Sequence, residues 1–474
     1  MNKTPEQIVA LVRDAGVIGA AGMGFPTHVK LTARAETVII NGSECEPLLY
    51  TDKTLLRDSA DDIVQGLRLA MIAVGAHAGV IAINCEDDDG IAAVDAAIAA
   101  VRAASDKVTD AATSDNVAGV NVGGLSIRIH LMGNYYPAGD EMLTVYDITG
   151  KVVPEGGTPL DVGAMVLNAA TAAQIYRAVN GIAVTERVIT IAGAVKEPKV
   201  VTVPIGARYS ELIALAGGPS AGLTLHNVTV LDGGPMMGHI VADLEEGIGK
   251  STSAIIVLPT DHHVIQMKSK SLTENVAQSK TVSGQRTQST DLCPRYLLGH
   301  EIEPHQAMIA LDYARAEPSA EVTSAFLCSG CGICEMVGDE AAFTSPKKIY
   351  SEFKSRLLKA GVKNPHTRSG FVVHSQYQNR KLAIPTLVMK LGIGDYVCMP
   401  ARGGKKQISL VRVPTRRHVG VAALTTIALH QLVRRGDVIA ASPADDLGAL
   451  YQAPIHGQVS DITDDFIEIT GEAS

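Results

Sequence analysis

The sequence predicts a multidomain α/β protein, and three observations support this fold class. The chain has 474 residues and is 46% hydrophobic, whereas a single core stops growing near about 250–300 residues. Buried strand patterns alternate with helical patterns over the first 185 residues, which indicates a parallel sheet covered by helices. Short alternating strands and three closely spaced cysteines appear further along the chain. We therefore expect several domains of different architecture.

The first predicted domain is a Rossmann-like α/β unit over residues 1–185. Thr4 and Pro5 suit the start of its first helix, because one can cap the helix and the other fits the first turn. A short buried strand then ends at Asn41. Helices and strands alternate after it: a helix over 56–73, a strand over 79–84 and a helix over 91–104.

The hydrophobic period changes after this unit. Two alternating strands followed by a short helix predict a β-grasp-like domain and its extension over 186–266. Residues 267–290 are polar and rich in Ser, Thr and Gln, which is typical of a linker or an exposed loop. This linker and a helical, cysteine-bearing segment form a predicted domain over 267–395. Short strands return near residue 396, so we assign 396–474 to a compact all-β domain.

Composition excludes some classes of function. The net charge is -9, aromatic residues make up 4% and Trp is absent, so neither charge nor stacking surfaces favour a nucleic-acid partner. No uninterrupted run of about 18 apolar residues predicts a membrane-spanning helix, and the first residues lack the apolar core of a signal peptide. We expect a cytoplasmic protein whose cysteines are not paired in disulfides.

A glycine-rich turn over residues 19–30, with the sequence GAAGMGFPTHVK, is the first candidate site. The glycines at 19, 22 and 24 allow the backbone to approach a ligand closely and to point several N–H groups at one anion. Lys30 adds a positive charge, which makes a phosphate the natural ligand. The alternative is an ordinary connection between a helix and a strand.

Two carboxylates follow the predicted strand that ends at Asn41. Glu44 and Glu46 are two residues apart, so they face the same side of an extended chain. The carboxyl end of a strand is also where open α/β sheets bind ligands. A solvated loop is the other interpretation of this segment.

Three cysteines at two-residue spacing, Cys328, Cys331 and Cys334, indicate a metal centre. Iron–sulfur clusters take four such thiolates. Zinc remains an alternative, although zinc motifs usually contain two separated pairs of ligands.

The fourth ligand follows from the two-cluster ferredoxin motif C-x-x-C-x-x-C-x-x-x-C-P, in which the last cysteine binds the other cluster. Cys293-Pro294 retains the end of one such motif, and the crossing rule assigns Cys293 to the cluster of the three later cysteines. The intact ligand set is therefore Cys293, Cys328, Cys331 and Cys334. The other set is lost, because its positions carry Ser283, Arg286, Ser289 and Gly338. We predict one [4Fe–4S] cluster, and natural and engineered loss of the second set both stay open.

The glycine turn and the carboxylate segment resemble the corresponding motifs of the RnfC-like family, which includes the PduS-type cobalamin reductases, and of the flavin subunit of respiratory complex I. Further segments match RnfC-like patterns in the same order, namely 75–77, 136–141, 162–163, 168–171 and 233–238. The resemblance covers nearly the whole chain. It implies an FMN- and NADH-binding Rossmann-like domain, an SLBB β-grasp domain, a helical ferredoxin-like segment and a C-terminal barrel-sandwich hybrid domain.

The resemblance also implies roles for individual residues. The backbone at Gly19, Gly22 and Gly24 would cradle FMN, and Lys30 would lie at its phosphate. Phe25 would stack on the nicotinamide of NADH. Ala21 departs from the family pattern, which has glycine there, and its methyl group could narrow the approach to the flavin. The side chains expected along the ring and the ribityl chain are Asn41, Glu44, Glu46 and Asn168.

The function implied by the resemblance is electron transfer from NADH through FMN and one [4Fe–4S] cluster to an acceptor. For a PduS-type protein the acceptor is cobalamin or a cobalamin-dependent enzyme, within the cytoplasm and inside a bacterial microcompartment. Two alternatives stay open: an RnfC-like subunit that serves another reductase through a protein acceptor, and a non-enzymatic scaffold or ligand-binding protein whose redox sites have decayed. A homo-oligomer is also left open. The terminal domain lacks a lysine at its hairpin tip, so we expect no covalent lipoyl group.

Overall fold

The computed structural model describes residues 3–103, 108–111, 119–122, 125–281, 286–312, 319–337, 345–443 and 446–471. The N-terminal part is an α/β unit, as predicted. Its helices are α1 (Pro5–Asp14), α2 (Thr27–Lys30), α3 (Thr51–Asp58), α4 (Ala60–Val74), α5 (Asp88–Ala103), α6 (Glu141–Thr149) and α7 (Ala169–Val179). Its strands are β1 (Thr37–Gly42), β2 (Ala78–Asn84), β3 (Val108–Ala111), β4 (Gly119–Val122), β5 (Leu125–Met132), β6 (Tyr135–Tyr136) and β7 (Ala164–Asn168).

Six of these strands form one sheet in the order β3-β4-β5-β2-β1-β7. Strands β5, β2, β1 and β7 run parallel, while β3 and β4 add an antiparallel edge. The predicted parallel core is therefore confirmed. Residues of β1 such as Ile39 and Ile40 are fully buried between the covering helices. Because β1 and β7 are neighbours, their carboxyl ends lie side by side.

Local signals in the first helices behave as the sequence predicts, with one exception. Thr4 accepts a hydrogen bond from the Gln7 backbone and completes a capping box at α1. The predicted single helix over 56–73 is instead two helices, α3 and α4. They are separated at Ser59, whose φ of -135° and ψ of 27° are not helical.

The second sheet has the order β11-β10-β12-β8-β9-β14. Its elements are β8 (Glu186–Gly193), β9 (Lys199–Pro204), α8 (Tyr209–Leu215), β10 (Val228–Asp232), β11 (His239–Ile240), β12 (Ala254–Pro259) and β14 (Ala401–Lys405). The antiparallel pair β8–β9 and the helix agree with the predicted β-grasp pattern. Strand β14 falls in the range predicted for the terminal domain, but it pairs in parallel with β9. The chain thus returns to the β-grasp sheet before the terminal domain starts.

Helices dominate the cysteine-bearing part. They are α9 (His263–Ser269), α10 (Leu272–Thr281), α11 (Arg286–Asp291), α12 (Pro294–Leu297), α13 (Pro304–Asp312), α14 (Ala320–Thr323), α15 (Pro346–Lys359) and α16 (Ile384–Lys390). A short pair between β13 (Leu382–Ala383) and β6 ties this part to the α/β unit.

The expectation of a linker over 267–290 is wrong for the described residues, because α10 and α11 occupy much of it. Ser271 and Glu274 form a reciprocal cap at the start of α10. Asn275 is fully buried and its side chain accepts a hydrogen bond from the Ser345 backbone at 3.1 Å. The polar composition of this segment therefore led to a wrong prediction, because α10 packs against the protein through the buried amide side chain of Asn275.

The terminal domain is all-β, as predicted. Its strands are β15 (Leu410–Pro414), β16 (Leu424–Thr425), β17 (Leu432–Val433), β18 (Val438–Ala441), β19 (Leu450–Gln452), β20 (Gly457–Ile462) and β21 (Phe466–Gly471). They form one sheet of four strands and one of three, with Val411, Ile439 and Ile469 buried. The four predicted domain ranges stay predictions. Across the described part of the chain, every helix falls short of the length and apolarity needed to cross a membrane.

Candidate functional site

The glycine turn lies against the start of α7. Gly22 and Gly24 have φ values of 76° and 68°, in the left-handed region that favours glycine. A Cβ atom at Gly22 would have nothing within 4 Å, so this side of the turn is open. The Ala20 amide donates to Thr171 Oγ1 at 2.9 Å and fixes the turn to the helix. A glycine turn beside a helix N-terminus is an arrangement that suits a phosphate.

Arg187 supports the same turn from the β-grasp domain. Its Nη2 donates to the Ala20 carbonyl at 2.9 Å and its Nε donates to the Thr252 carbonyl at 3.1 Å. The side chain is buried, and burial lowers the pKa of this guanidinium to about 10, while the charge of Asp52 opposes that effect. Sequence reasoning missed Arg187, because a single arginine in a strand carries no motif.

Asn41 and Asn168 occupy facing positions at the ends of β1 and β7. Asn41 Nδ2 donates to the Gly139 carbonyl at 2.9 Å. Asn168 caps α7 through the Ala170 amide, and its Nδ2 donates to Asp52 Oδ2 at 2.8 Å. The structure therefore brings these two asparagines together at one edge of the sheet, and their role at a flavin stays a prediction.

Glu44 is partly buried against the start of α3. Its two carboxylate oxygens accept hydrogen bonds from the amides of Asp52 and Lys53 at 3.0 and 3.1 Å. Desolvation raises the pKa of Glu44, and the neighbouring charge of Asp52 raises it further. Desolvation also raises the pKa of Asp52, while its hydrogen bond with Asn168 acts in the opposite direction. A partly buried pair of acids thus lies beside Asn168, and no sequence motif pointed to Asp52.

Glu46 faces a different neighbour from Glu44. Its oxygens accept the amides of Met236 and Met237 at 2.9 and 2.8 Å. A Cβ at Gly234 would come within 1.9 Å of Glu46 Oε2, so glycine is required there. Glu46 therefore joins the β1 loop to the turn over 233–238 of the β-grasp domain, and the assumption that the two glutamates share one side does not describe this loop.

Lys30 and Phe25 have different surroundings. Lys30 Nζ donates to the Val166 carbonyl at 2.6 Å and pairs with Glu141 at 3.2 Å, so it lies beside β7. Phe25 is 39% exposed and Met23 is 82% exposed. Two exposed apolar side chains thus flank Gly24 in the glycine turn.

The four predicted cysteine ligands lie together in the helical part. Cys293, Cys331 and Cys334 are buried, and Cys328 is partly buried. Burial raises the pKa of the Cys293 thiol to about 12, and a charge on Cys328 would raise it further, which requires the two groups to be close. The pKa of the Cys334 thiol is likewise raised by burial and, more weakly, by the charges of the other cysteines.

Backbone amides surround these sulfur atoms. Gly330 donates to Cys328 Sγ at 3.4 Å. The amides of Tyr296 and Arg295 lower the pKa of the Cys293 thiol, and the Ile333 amide does the same for Cys331. Such N–H···S contacts stabilise thiolates, which are the form that binds metal.

Within the described ranges, one further group of ligand side chains lies close together. The ligand atoms of Glu155, Glu301 and His366 all lie within 4.8 Å of one another. Arg368 pairs with Glu155 at 2.7 Å and already neutralises that carboxylate.

Two positions of the second ligand set can be located. Ser289 is buried in α11, and Arg286 starts the same helix. Ser283 and Gly338 lie outside the described residues. The loss of this second set stays a prediction.

Residues 136–140 form a shared wall between the cysteines and the edge of the sheet at Asn41. Tyr136 Oη donates to the Cys331 carbonyl at 2.5 Å. Three residues later, Gly139 holds Asn41 through its carbonyl and approaches Cys45 Sγ through its amide at 3.2 Å. Asp140 pairs with Arg295 at 3.3 Å. One short segment therefore contacts both candidate cofactor sites.

Comparisons with known proteins match three parts of the chain separately: the α/β unit, the β-grasp domain and the cysteine-bearing segment. Residues 12–177 match the Nuo51 FMN-binding domain, residues 188–239 match the SLBB domain, and residues 288–338 match a 4Fe-4S dicluster domain. These matches confirm the α/β flavin domain, the SLBB β-grasp domain and the iron–sulfur segment. The cofactors FMN and [4Fe–4S] are confirmed with them.

The NAD+-reducing [NiFe]-hydrogenase in the H2-reduced state aligns with 76% of this chain and 63% of that chain, at 19% identity and a TM-score of 0.47.

Two curated relatives match nearly the full length of the chain. Cobalamin reductase PduS of Citrobacter freundii is 35% identical over 463 residues, which are 97% of this chain and 95% of that protein. The PduS of Salmonella typhimurium is 34% identical, covering 99% and 97%. A component of the Na(+)-translocating ferredoxin:NAD(+) oxidoreductase complex of Acetobacterium woodii is 33% identical, but the match covers 53% of this chain and 52% of that protein. The chain is therefore a flavin and iron–sulfur oxidoreductase, and it belongs to the family of the PduS cobalamin reductases.

Proposed function

We propose that this protein passes electrons from NADH through FMN and one [4Fe–4S] cluster to cobalamin, either free or held by a partner enzyme. The wall formed by residues 136–140 carries this proposal, because it contacts the sheet edge at Asn41 and the cluster loop at Cys331. The flavin supplies the conversion between a two-electron donor and one-electron steps. The names of the relatives that match over their full length support cobalamin as the acceptor.

We assign the flavin to the open side of the glycine turn and the adjacent sheet edge. The empty space at Gly22 and the joint between Ala20 and Thr171 support a phosphate there. Phe25 is exposed enough to stack on a nicotinamide. Glu44 and Glu46 would act by holding the β1 loop. The residues proposed to hold the flavin are Gly19, Gly22, Gly24, Lys30, Asn41, Glu44, Glu46 and Asn168.

We assign the cluster to Cys293, Cys328, Cys331 and Cys334. Their burial and the amides directed at their sulfurs fit an iron–sulfur cluster. In addition, Arg295 Nε is buried without a hydrogen-bond partner beside them, as expected where a cluster supplies the acceptor. One intact ligand set in a segment of dicluster type supports a single cluster.

The test is anaerobic purification with iron, sulfide and flavin measured per chain. A chain that binds one [4Fe–4S] cluster and one flavin should contain about four irons and one FMN. Cys293→Ser should lower the iron content, whereas Cys398→Ser, which changes an exposed isolated cysteine, should not. About eight irons would overturn the single-cluster assignment. A colourless protein without iron or flavin would support the scaffold alternative instead.

A protein acceptor is the second candidate. The partial match to the component of the ferredoxin:NAD(+) oxidoreductase complex favours it, since that relative works inside a larger assembly according to its name. Turnover of NADH with free cobalamin supports the cobalamin reductase. Turnover that requires an added redox protein supports the electron-transfer role within a complex. A cytoplasmic location inside a microcompartment and a homo-oligomer stay predictions of the resemblance.

A further inference from the structure

Arg295 is a buried charge between the cysteines and the flavin domain. It lies two residues after Cys293, near the start of α12, and is 7% exposed. Its Nη2 pairs with Asp140 Oδ2 at 3.3 Å, and Asp140 itself is buried and caps α6. Its Nε lacks any hydrogen-bond acceptor among the described residues.

A buried N–H group without a partner is unusual, because leaving such a donor unsatisfied costs about 1–3 kcal/mol or more when it is charged. The chain must therefore gain something from keeping this guanidinium at the site. An acceptor absent from the polypeptide would satisfy the donor. The sulfur atoms of a cluster are such acceptors, and Arg295 is next to where they would lie.

Arg295 lies next to the first proposed ligand along the chain, two residues after Cys293 and at the start of α12. Its guanidinium is held on one side by Asp140, so that the unpartnered Nε is fixed in place beside this ligand. Lys354 is partly exposed, so solvent screens its charge more strongly than that of Arg295.

We propose that Arg295 donates its Nε–H to a sulfur of the cluster and raises the cluster's reduction potential, with Asp140 setting how much of that charge the cluster experiences. A cluster held by four thiolates is anionic, and accepting one electron makes it more so. A buried cation within hydrogen-bonding reach stabilises the reduced form, and hydrogen bonds to the sulfurs are known to tune cluster potentials. Arg295 is thus a positioning and tuning residue, and this inference rests on the proposed ligand set.

Asp140 connects the Arg295–Asp140 ion pair to the part of the α/β unit where the flavin is proposed to bind. It follows Gly139, which binds Asn41, and it caps α6, which packs beside β1 and β7. The Arg295–Asp140 pair therefore lies between the sheet edge and the cluster. Electron arrival at the cluster is controlled where the two domains meet.

The experiment is a potentiometric titration of the cluster, followed by electron paramagnetic resonance, on the full-length holoprotein. Arg295→Met should shift the reduction equilibrium toward the oxidised form by at least tenfold, which is about 59 mV for a one-electron couple. Arg295→Lys keeps the charge but loses the Nε geometry, so it should shift less in the same direction. Asp140→Asn keeps the helix cap and should shift the equilibrium the other way.

The reduction potential is expected to shift in opposite directions in Arg295→Met and Asp140→Asn. A cluster pocket that is merely loosened would shift the potential in the same direction in every variant, so the signs distinguish electrostatic tuning from structural damage. Lys354→Met is the matched control and should leave the potential near that of the wild type. Unchanged potentials in Arg295→Met and Asp140→Asn overturn the inference while leaving the ligand set intact. If Arg295→Met fails to retain its cluster, Arg295→Lys and Asp140→Asn decide the sign. A wild type without a cluster signal overturns the ligand set itself, and the inference with it.

Discussion

Gly22 is the residue at which conformation and ligand space can be separated most cleanly. Its φ is positive and a Cβ there would contact no protein atom within 4 Å. Gly150 has the same properties, with φ at 70° and no neighbour within 4 Å, but it ends α6 away from the glycine turn. Replacing either glycine by alanine should therefore cost a similar conformational free energy. The replacement at Gly22, but not that at Gly150, would also fall in the proposed flavin site.

We predict that Gly22→Ala lowers FMN affinity by at least tenfold, because the new methyl group would occupy space that the phosphate needs. Gly150→Ala should leave FMN affinity unchanged. Both should lose about 1 kcal/mol of stability from the left-handed conformation. Fluorescence titration of the flavin-depleted protein measures the affinity, and equal affinities in the two variants would contradict the placement of the phosphate.

Lys250 joins three parts of the molecule, and the hydrogen-bond acceptors of its ammonium among the described residues are all uncharged. It is 2% exposed, and its Nζ donates to the carbonyls of Gly16 and Leu450 at 2.8 and 2.7 Å. The ammonium also lies 4.7 Å from the centre of the Tyr451 ring. Burial lowers the pKa of this lysine to about 7. The α/β unit, the β-grasp domain and the terminal domain therefore meet at a group that titrates near neutrality.

We predict that stability rises with pH because of Lys250. The unfolded chain keeps this proton up to a pKa of 10.5, whereas the folded protein releases it near 7. Between these values the unfolded state binds more protons, so unfolding becomes harder as pH increases, by at most about 1.4 kcal/mol per pH unit. Urea midpoints at pH values of about 7 and about 9 should rise in the wild type and in Lys363→Met, which changes an exposed lysine. In Lys250→Met the rise should be smaller, and the part that remains is expected from Lys268, whose pKa burial lowers to about 8.

For single residues, the sequence indicated which side chains lie near the candidate site better than it indicated which groups they contact. Asn41 was singled out because it follows a predicted buried strand, whereas Asn168 was implied only by the family resemblance; the structure places both at the ends of neighbouring parallel strands. The shared side of Glu44 and Glu46 failed as an argument, since period-two alternation holds only while the chain stays extended. Beyond β1 the loop turns, and the two carboxylates reach α3 and the β-grasp domain instead. Arg187 and Asp52 act across long sequence separations, which no local pattern records.

At the scale of elements, the loop over 416–419 of the terminal domain is placed against the glycine turn. The Val419 amide donates to the Gly24 carbonyl at 3.3 Å, and a Cβ at Gly24 would meet the Arg417 carbonyl at 3.3 Å. Arg417 anchors this loop, since it donates to Tyr209 Oη at 2.8 Å and pairs with Glu246 at 2.5 Å. The terminal domain thus supports the proposed flavin cradle from outside.

We predict that Arg417→Met loosens the glycine turn and weakens FMN binding several-fold. Losing the anchor leaves Tyr209 and Glu246 without their cation, and the loop then restrains Gly24 less. Hydrogen exchange at the turn should increase together with the FMN dissociation rate. Arg416→Met is the control, because this neighbour is largely exposed and pairs weakly with Asp465 at 3.6 Å. A dissociation rate equal to that of the control would show that the terminal domain does not support the cradle.

Elements were predictable where burial repeats along the chain. Strands β1 and β2 and the β8–β9 hairpin carry such repeats, and these four strands were expected close to their observed bounds. Helix α10 was not, because it docks through Asn275 and carries few apolar residues. Strand β14, with two glycines, has no apolar alternation at all, and its place beside β9 is decided by pairing across about 200 residues of chain.

On the scale of the whole molecule, the two proposed cofactor sites lie next to one segment. Tyr136 donates to the Cys331 carbonyl and Asp140 pairs with Arg295, while Gly139 between them accepts a hydrogen bond from Asn41. The sequence indicated both sites from their motifs, but their adjacency depends on contacts such as that of Tyr136 with Cys331, which are 195 positions apart in the chain. We therefore propose that electrons pass directly from the flavin to the cluster, without an intervening second cluster.

The number of electrons that the protein accepts tests this arrangement as a whole. FMN takes two electrons and a [4Fe–4S] cluster takes one, so we predict that anaerobic reduction with dithionite consumes about three electron equivalents per chain. Cys293→Ser should consume about two, because its flavin remains, and flavin-depleted protein should consume about one. Absorbance of the flavin and the magnetic resonance signal of the cluster follow the two sites separately. Four equivalents in the wild type would mean that a second cluster is bound despite Ser283, Arg286, Ser289 and Gly338, and that electrons have a longer route than the shared wall provides.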